Sequence, residues 1–179
     1  RRLVFAASSS AYGMDANLPS VETDPVAPAS PYAASKAAAE ALVSAWAACW
    51  DLDTVALRFF NIFGPRQDPN SPYAAAIATF ADALRSGRSP VFYGDGSQTR
   101  DFTYVDNAVE ACLLAATNSS PLDGSVLNVG TGRGVSLLEV LEQMNAVLGT
   151  NIEATCQPAR EGDVPHSRAD IAAITDVLG

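Results

Sequence analysis

Three short apolar runs, at residues 3–7, 54–60 and 126–129, each stop in a polar loop, and helical stretches separate them. Runs that are apolar throughout, rather than at every second position, read as strands covered on both faces, the state of a parallel sheet. Parallel neighbours need a crossover, and the intervening helices supply it. The pattern therefore predicts an α/β chain. Residues 12–30 and 61–72 read as long polar, proline-containing loops, and loops of that length tend to carry function. Helices are expected from Pro31 to about 50, over 73–85, over 105–117, from Ser136 to 148 and from 169 onward. Ser30 stands as an N-cap before Pro31, and Ser136 with Glu139 forms a capping-box pattern. Short strands are expected at 90–93, 102–104 and 152–156. Gly130-Thr131-Gly132 has the wrong spacing for a dinucleotide loop and reads as a tight strand-to-helix turn. Asp106 is expected to cap or anchor its helix.

Composition narrows the function. Hydrophobic residues are 48% and charged residues 17%, which excludes a disordered chain. The net charge of −9 argues against nucleic-acid and anionic-membrane partners, though not against a phosphorylated ligand held by local arginines. No apolar run approaches the roughly 18 residues of a membrane span. The three cysteines, Cys49, Cys112 and Cys156, show neither metal-ligand spacing nor a disulfide framework. They are expected to be buried, reduced thiols of a cytoplasmic protein. No metal site is expected. Trp46 and Trp50, four apart, read as a packed helix face, serving either an internal core or a subunit interface.

The chemistry concentrates in Tyr32-Ala33-Ala34-Ser35-Lys36. Tyrosine and lysine four apart share one helix face. A phenol is a poor base near neutrality, and a neighbouring ammonium favours its ionised form, so the pair makes a general base. Of eleven basic residues ten are Arg, and Lys36 is the single Lys. A site that requires a compact ammonium accounts for that exception. Ser8, Ser9 and Ser10 follow the first strand, at the end where open α/β sheets bind ligands.

Six stretches in order resemble the extended short-chain dehydrogenase/reductase family, in its NAD-dependent nucleotide-sugar epimerase/dehydratase branch. They begin at Phe5, Ser30, Leu57, Gly94, Leu127 and Arg160, and read FAASSSAYG, SPYAASK, LRFFNIFGPR, GDGSQTRDFTYVD, LNVG and REGDV. Within the branch they are most similar to 4-epimerases of UDP-glucose and UDP-N-acetylglucosamine. The resemblance implies the C-terminal part of a Rossmann-like doubly wound parallel sheet, plus a smaller α/β substrate-binding subdomain. Residues 1–62 would be the second half of the NAD-binding domain, its first half absent. Residues 63–179 would be mainly substrate-binding, with 101–130 returning to the main sheet.

The resemblance also implies roles. Tyr32 would be the catalytic base, and Lys36 would hold the nicotinamide ribose and tune Tyr32. Ser8 would share the proton of the sugar C4 hydroxyl, with Ser9 beside it, and Phe60 would lie against the nicotinamide. Asn61 would contact the diphosphate-sugar. Ala75, Ala76, Val91 and Tyr93 would line the uridine pocket. Arg100 and Arg160 would bind the diphosphate, a task that suits the guanidinium fork. Asp163 would take a ribose hydroxyl, and Ser167 would lie near the sugar, while His166 reads as a loop residue. The implied reaction is 4-epimerisation of a UDP-hexose through a transient 4-keto sugar, with NAD as tightly held cofactor. The alternatives are a nucleotide-sugar 4,6-dehydratase, in which Asp and Glu would stand at Ser9 and Ser10, or a truncated non-catalytic piece. The full-length protein is expected to be a homodimer, paired partly through the helix of Tyr32 and Lys36. The 179 residues alone, lacking the glycine-rich loop, are expected to be inactive.

Overall fold

Apolar residues on both sides of a strand demand cover on both sides, and the central strand here has it. The computed structural model of the chain describes residues 1–50, 52–70, 76–160 and 164–179. In order, the described elements are β1 (Arg2–Ser8), a 3₁₀ turn (Ser9–Tyr12), α1 (Pro31–Cys49), β2 (Asp53–Phe59), β3 (Ile62–Phe63) and α2 (Ala76–Arg85). There follow β4 (Val91–Tyr93), β5 (Thr99–Arg100), β6 (Thr103–Tyr104), α3 (Val105–Thr117), β7 (Ser125–Val129), β8 (Val135–Ser136), α4 (Leu137–Leu148), β9 (Thr155–Gln157) and α5 (Ala172–Leu178). The main sheet is parallel throughout, in the order β1-β2-β7.

Successive side chains of β2 divide between the two faces, as the two-residue period of a strand requires. Val55 and Leu57 pack with Ala111 and Ala115 of α3 and with Leu122, Leu127 and Val129, while Ala173, Ile174 and Leu178 of α5 close over them. Thr54 and Arg58 face α1 instead. The Thr54 hydroxyl donates to the Val43 carbonyl at 3.0 Å, and Arg58 meets Glu40. A second core joins Phe80 and Leu84 of α2, Phe92 of β4, and Leu137, Val140 and Leu141 of α4. The capping box at Ser136 and Glu139 is formed, and Gly149 closes α4 in the left-handed region at φ 65°. The fold is thus the expected mixed α/β architecture with a parallel main sheet.

Several elements differ from the sequence reading. The loop after β2 contains β3, which pairs in parallel with β6. Two residues suffice there because each satisfies its backbone against the other strand, with no hydrophobic period to betray them. The expected strand at 152–156 narrows to Thr155–Gln157, which pairs with β4. Ile152 is held by Asn145, whose side chain bonds both its N–H and its carbonyl. The last helix begins at Ala172, because the N–H of Ala169 is drawn to Asp101. For the helix expected over 73–85, residues 73–75 lie outside the described residues, and α2 covers the rest. Asp106 stands in the first turn of α3 and does not cap it. The N-cap position belongs to Tyr104, with no side-chain bond.

The cysteine expectation fails on burial. All three are free thiols, but Cys49 and Cys156 are exposed and Cys112 is half-buried. Cys49 ends α1 and Cys156 lies in the outer strand β9, so neither reaches a core. Nor do Trp46 and Trp50 pack internally: both are exposed, their rings in contact with each other, centroids 4.5 Å apart and planes tilted by 36°.

Asp101, between β5 and β6, is fully buried. Its carboxylate accepts from Thr131 N at 2.8 Å, Thr131 Oγ1 at 2.7 Å, Gly132 N at 3.0 Å and Ala169 N at 3.1 Å. The Gly130-Thr131-Gly132 turn therefore spends its amides on a carboxylate of the same chain. Gly130 permits this approach, since a Cβ there would lie 2.9 Å from Asp101 Oδ2 and 2.7 Å from Ala169 Cβ. In Asp101→Asn an amide N–H would oppose backbone N–H donors. Urea unfolding should show a loss of about 1.5–3 kcal/mol, the range for hydrogen bonds to a charged group.

Candidate active site

The C-terminal ends of β1 and β2 open into one cleft. β1 delivers Ser8, whose side chain caps the following 3₁₀ turn by accepting from Ser10 N at 3.2 Å; Ser8 Oγ and Ser10 Oγ share a 2.8 Å hydrogen bond. β2 delivers Phe60 and Asn61. Phe60 is buried against Tyr12 and Ala169. Asn61 sits in the left-handed region at φ 27°, a conformation asparagine tolerates better than most side chains. Its amide reaches the Asp101 carbonyl at 3.2 Å and Ser167 Oγ at 3.4 Å. α1, capped by the Ser30 side chain, presents Tyr32 and Lys36 to the same cleft, with Lys36 bonded to β1. Tyr32 is 48% exposed, open enough to meet a ligand. Lys36 Nζ donates to the Ala6 carbonyl at 2.9 Å and lies 6.0 Å from the Tyr32 ring centroid and 5.4 Å from that of Phe5.

These groups line a cavity of about 830 Å³. Ser8, Ser9, Tyr32, Lys36, Phe60, Asn61, Arg100 and Ser167 all belong to it, as do Tyr12, Ser10 and His166. Asn61 and Arg100 also border an adjoining cavity of about 230 Å³, lined by Ala76, Val91, Tyr93 and Arg160 with Phe80, Gln98 and Phe102. The sequence-derived residues therefore fall into two connected groups. Ala75 and Asp163 lie outside the described residues. Arg160 stacks its guanidinium on the Tyr93 ring at 3.7 Å. Arg100 donates to the carbonyls of Thr99 and Pro165. His166 is a loop residue as expected, with Nδ1 3.0 Å from Thr99 Oγ1.

Three buried residues behind the site, Arg58, Glu40 and Asn128, escaped the sequence reading. Arg58 is 2% exposed and bonds Glu40 twice, at 2.9 and 2.6 Å. Its guanidinium lies 4.6 Å from the centroid of the Tyr12 ring, and the Tyr12 hydroxyl donates to Asn128 Oδ1 at 2.6 Å. Burial works against the Arg58 charge, but the Glu40 and Tyr12 contacts hold its pKa above the ordinary guanidinium value. The available signal was an arginine inside an apolar strand run, which must find a buried partner.

Known proteins share this fold. Residues 1–130 match the model of the NAD dependent epimerase/dehydratase family, and the chain belongs to that family. It is 38% identical over 180 residues to the UDP-glucose 4-epimerase of Mycolicibacterium smegmatis, covering 100% of this chain and 56% of that protein. Among solved structures, the UDP-N-acetylglucosamine 4-epimerase of Methanobrevibacter ruminantium M1, in complex with UDP-N-acetylmuramic acid, is 42% identical. It superposes with a TM-score of 0.94 over 99% of this chain and 56% of that one. The UDP-glucose 4-epimerase of Thermus thermophilus, in complex with NAD, is 35% identical with a TM-score of 0.86, over 98% and 57% of the two chains. An NAD-dependent NDP-hexosamine 5,6-dehydratase of tunicamycin biosynthesis is also similar, at 29% identity and TM-score 0.88, over 99% and 57%. The chain thus spans little more than half the length of the relatives it matches.

Burial raises the Tyr12 phenol above its ordinary pKa, and the neighbouring Arg58 only partly offsets this. The ultraviolet titration difference between wild type and Tyr12→Phe should therefore show the Tyr12 phenol ionising above about pH 10. The sign for stability follows. A phenol whose pKa is raised by folding contributes fully below its unfolded value, and that contribution is lost as pH rises through the folded one. Denaturation midpoints should fall less steeply above about pH 10 in Tyr12→Phe than in the wild type.

Proposed function

We propose that the protein, expressed from its complete reading frame, is an NAD-dependent 4-epimerase of a UDP-hexose. The observation that carries this reading is the joining of two unlike cavities. One gathers Ser8, Tyr32 and Lys36 without a lining carboxylate among the described residues; the other is bordered by Arg100 and Arg160. Tyr32 would take the proton of the sugar C4 hydroxyl, and Ser8, bonded to Ser10, would orient that hydroxyl. Arg100 and Arg160 would hold the diphosphate, leaving the sugar to turn in the larger cavity. Val91, Tyr93 and Ala76, with Ala75, would enclose the uracil; Asp163 would meet the ribose, and Asn61 and Ser167 the sugar. The Lys36 ammonium and the apolar wall at Ala6, Ala7 and Phe60 fit the nicotinamide-ribose end of NAD. NAD, when bound, supplies the reversible acceptor for the C4 hydride.

Dehydration at a neighbouring carbon would require an acid to deliver a proton to the departing oxygen. Among the described residues the wall next to Ser8 offers the hydroxyls of Ser9 and Ser10 and no carboxylate, which favours epimerisation over elimination. In the same reading residues 1–62 complete the NAD-binding domain, residues 63–179 supply most of the substrate pocket, and the protein acts in the cytoplasm. Among the described residues no helix is long and apolar enough to cross a membrane. A homodimer through α1 is supported by the exposed strip of Leu42, Trp46 and Trp50.

Incubation with UDP-glucose and with UDP-N-acetylglucosamine, without added NAD, should invert C4 of one or both, followed by NMR. Tyr32→Phe should lower the rate by about 10²- to 10⁴-fold, the usual contribution of a general base. A 4-keto-6-deoxy product would instead establish the dehydratase. An enzyme that is folded and NAD-loaded yet acts on neither sugar would overturn the reading.

A further inference from the structure

We propose that Arg58 is a positioning residue of this site, setting the separation between the Ser8 hydroxyl, carried by β1, and the Tyr32 phenol, carried by α1. The inference rests on the proposed epimerase reading and deepens it. Three elements meet at this one guanidinium. Two parallel bonds, at 2.9 and 2.6 Å, tie it to Glu40 of α1. Its face lies 4.6 Å from the ring centroid of Tyr12, in the 3₁₀ turn that Ser8 caps. The remaining nitrogen donates to the Glu22 carbonyl at 3.4 Å, in the loop leading from that turn to α1. Arg58 itself stands two residues before Phe60 on β2, so the strand that ends at the cavity carries the clamp.

The lever arm decides what the clamp does. Tyr32, Lys36 and Glu40 repeat every four residues along one side of α1, and eight residues of helix span about 12 Å. A helix of this length moves as a rod, so a tilt at Glu40 carries Tyr32 and Lys36 together and leaves their mutual geometry intact. What changes is their distance from Ser8. Only a planar fork can bond a carboxylate twice and at the same time turn a face to an aromatic ring; an ammonium at the same place keeps the charge and loses both constraints.

The test uses protein expressed from its complete reading frame. In Arg58→Lys the charge of Glu40 stays paired, and the chain should remain folded with NAD bound. KM for the UDP-sugar should stay within about two-fold, since Arg100 and Arg160 are untouched, while kcat should fall about ten- to hundred-fold, the scale of an ångström-sized misplacement. Glu40→Gln, which keeps the shape but releases the clamp from the α1 side, should show the same split and serves if Arg58→Lys does not fold. A folded variant with wild-type kcat overturns the proposal, as does a loss of folded protein with kcat per folded site unchanged. Were the wild type inactive on UDP-sugars, the functional reading would fail separately. A crystal structure of Arg58→Lys would then decide the clamp: displacement of the first turn of α1 from the Ser8 turn supports it, and superposition overturns it.

Discussion

A charge placed inside a parallel sheet has to be answered from the layer above it, and the pairing of Arg58 with Glu40 is that answer. Of the three ion pairs among the described residues, this one has both side chains nearly sealed, at 3% and 8% exposure; the pair of Arg88 and Asp82 is open to solvent at 63% and 47%. Exposed pairs contribute little, whereas removing one partner of a buried pair strands the other and costs several kcal/mol. A buried pair is also directional. It constrains how α1 lies on β2, and α1 is the element that brings Tyr32 and Lys36 to the cleft. The hydrophobic contacts of Val55 and Leu57 on the opposite face hold α3 and α5 to the sheet, but they carry no such orientation.

Topology then determines which groups can meet. Because β1 and β2 are parallel, their C-terminal ends lie at one edge, with Ser8 in register with Phe59. The residues that follow each strand, Ser9 and Ser10 on one side and Phe60 and Asn61 on the other, are neighbours for that reason alone. The second cavity is built from chain far away in sequence. Asp101 joins the two regions by holding the turn after β7 and the segment at Ala169, and its own carbonyl accepts from Asn61. Asp101 and Arg58 are therefore two buried charges with different solutions, one met by four donors and the other by a counter-charge.

Much of this was legible in the sequence, for identifiable reasons. β1, β2 and β7 were legible because burial on both faces forces continuous apolar runs, and α1 and α4 because Ser30 and Ser136 stand at their caps. Tyr32 and Lys36 were legible because helical spacing makes them neighbours without any tertiary information. The strand expected at 102–104 is present as β6, but its pairing with β3, and both strands of the β5–β8 ladder, were not legible, since the partners are dozens of residues apart and no period marks them. Glu40 and Asp101 were missed for a related reason. Each looks like any surface acid until the fold shows what surrounds it. The cysteines erred in the other direction: a small apolar residue is expected inside, but Cys49 and Cys156 lie where their elements meet solvent.

The charge of the chain and the charge of its proposed ligand both point to local rather than global electrostatics. At a net charge of −9, the molecule as a whole repels a nucleoside-diphosphate sugar. Screening limits that repulsion to about 8 Å at physiological ionic strength, so what a bound anion experiences is its immediate lining. Among the described residues that lining is cationic at Lys36, Arg100 and Arg160 and contains no carboxylate in either cavity. Asp101, the acid nearest in sequence to Arg100, is withdrawn beneath the surface and its oxygens are occupied by backbone donors. The arrangement separates two tasks. In the proposed reading, charge at the arginine end would hold a diphosphate, while Ser8, Ser9 and Ser10 would meet the sugar with hydroxyls rather than charges, the condition under which one ring could present either face to the same base.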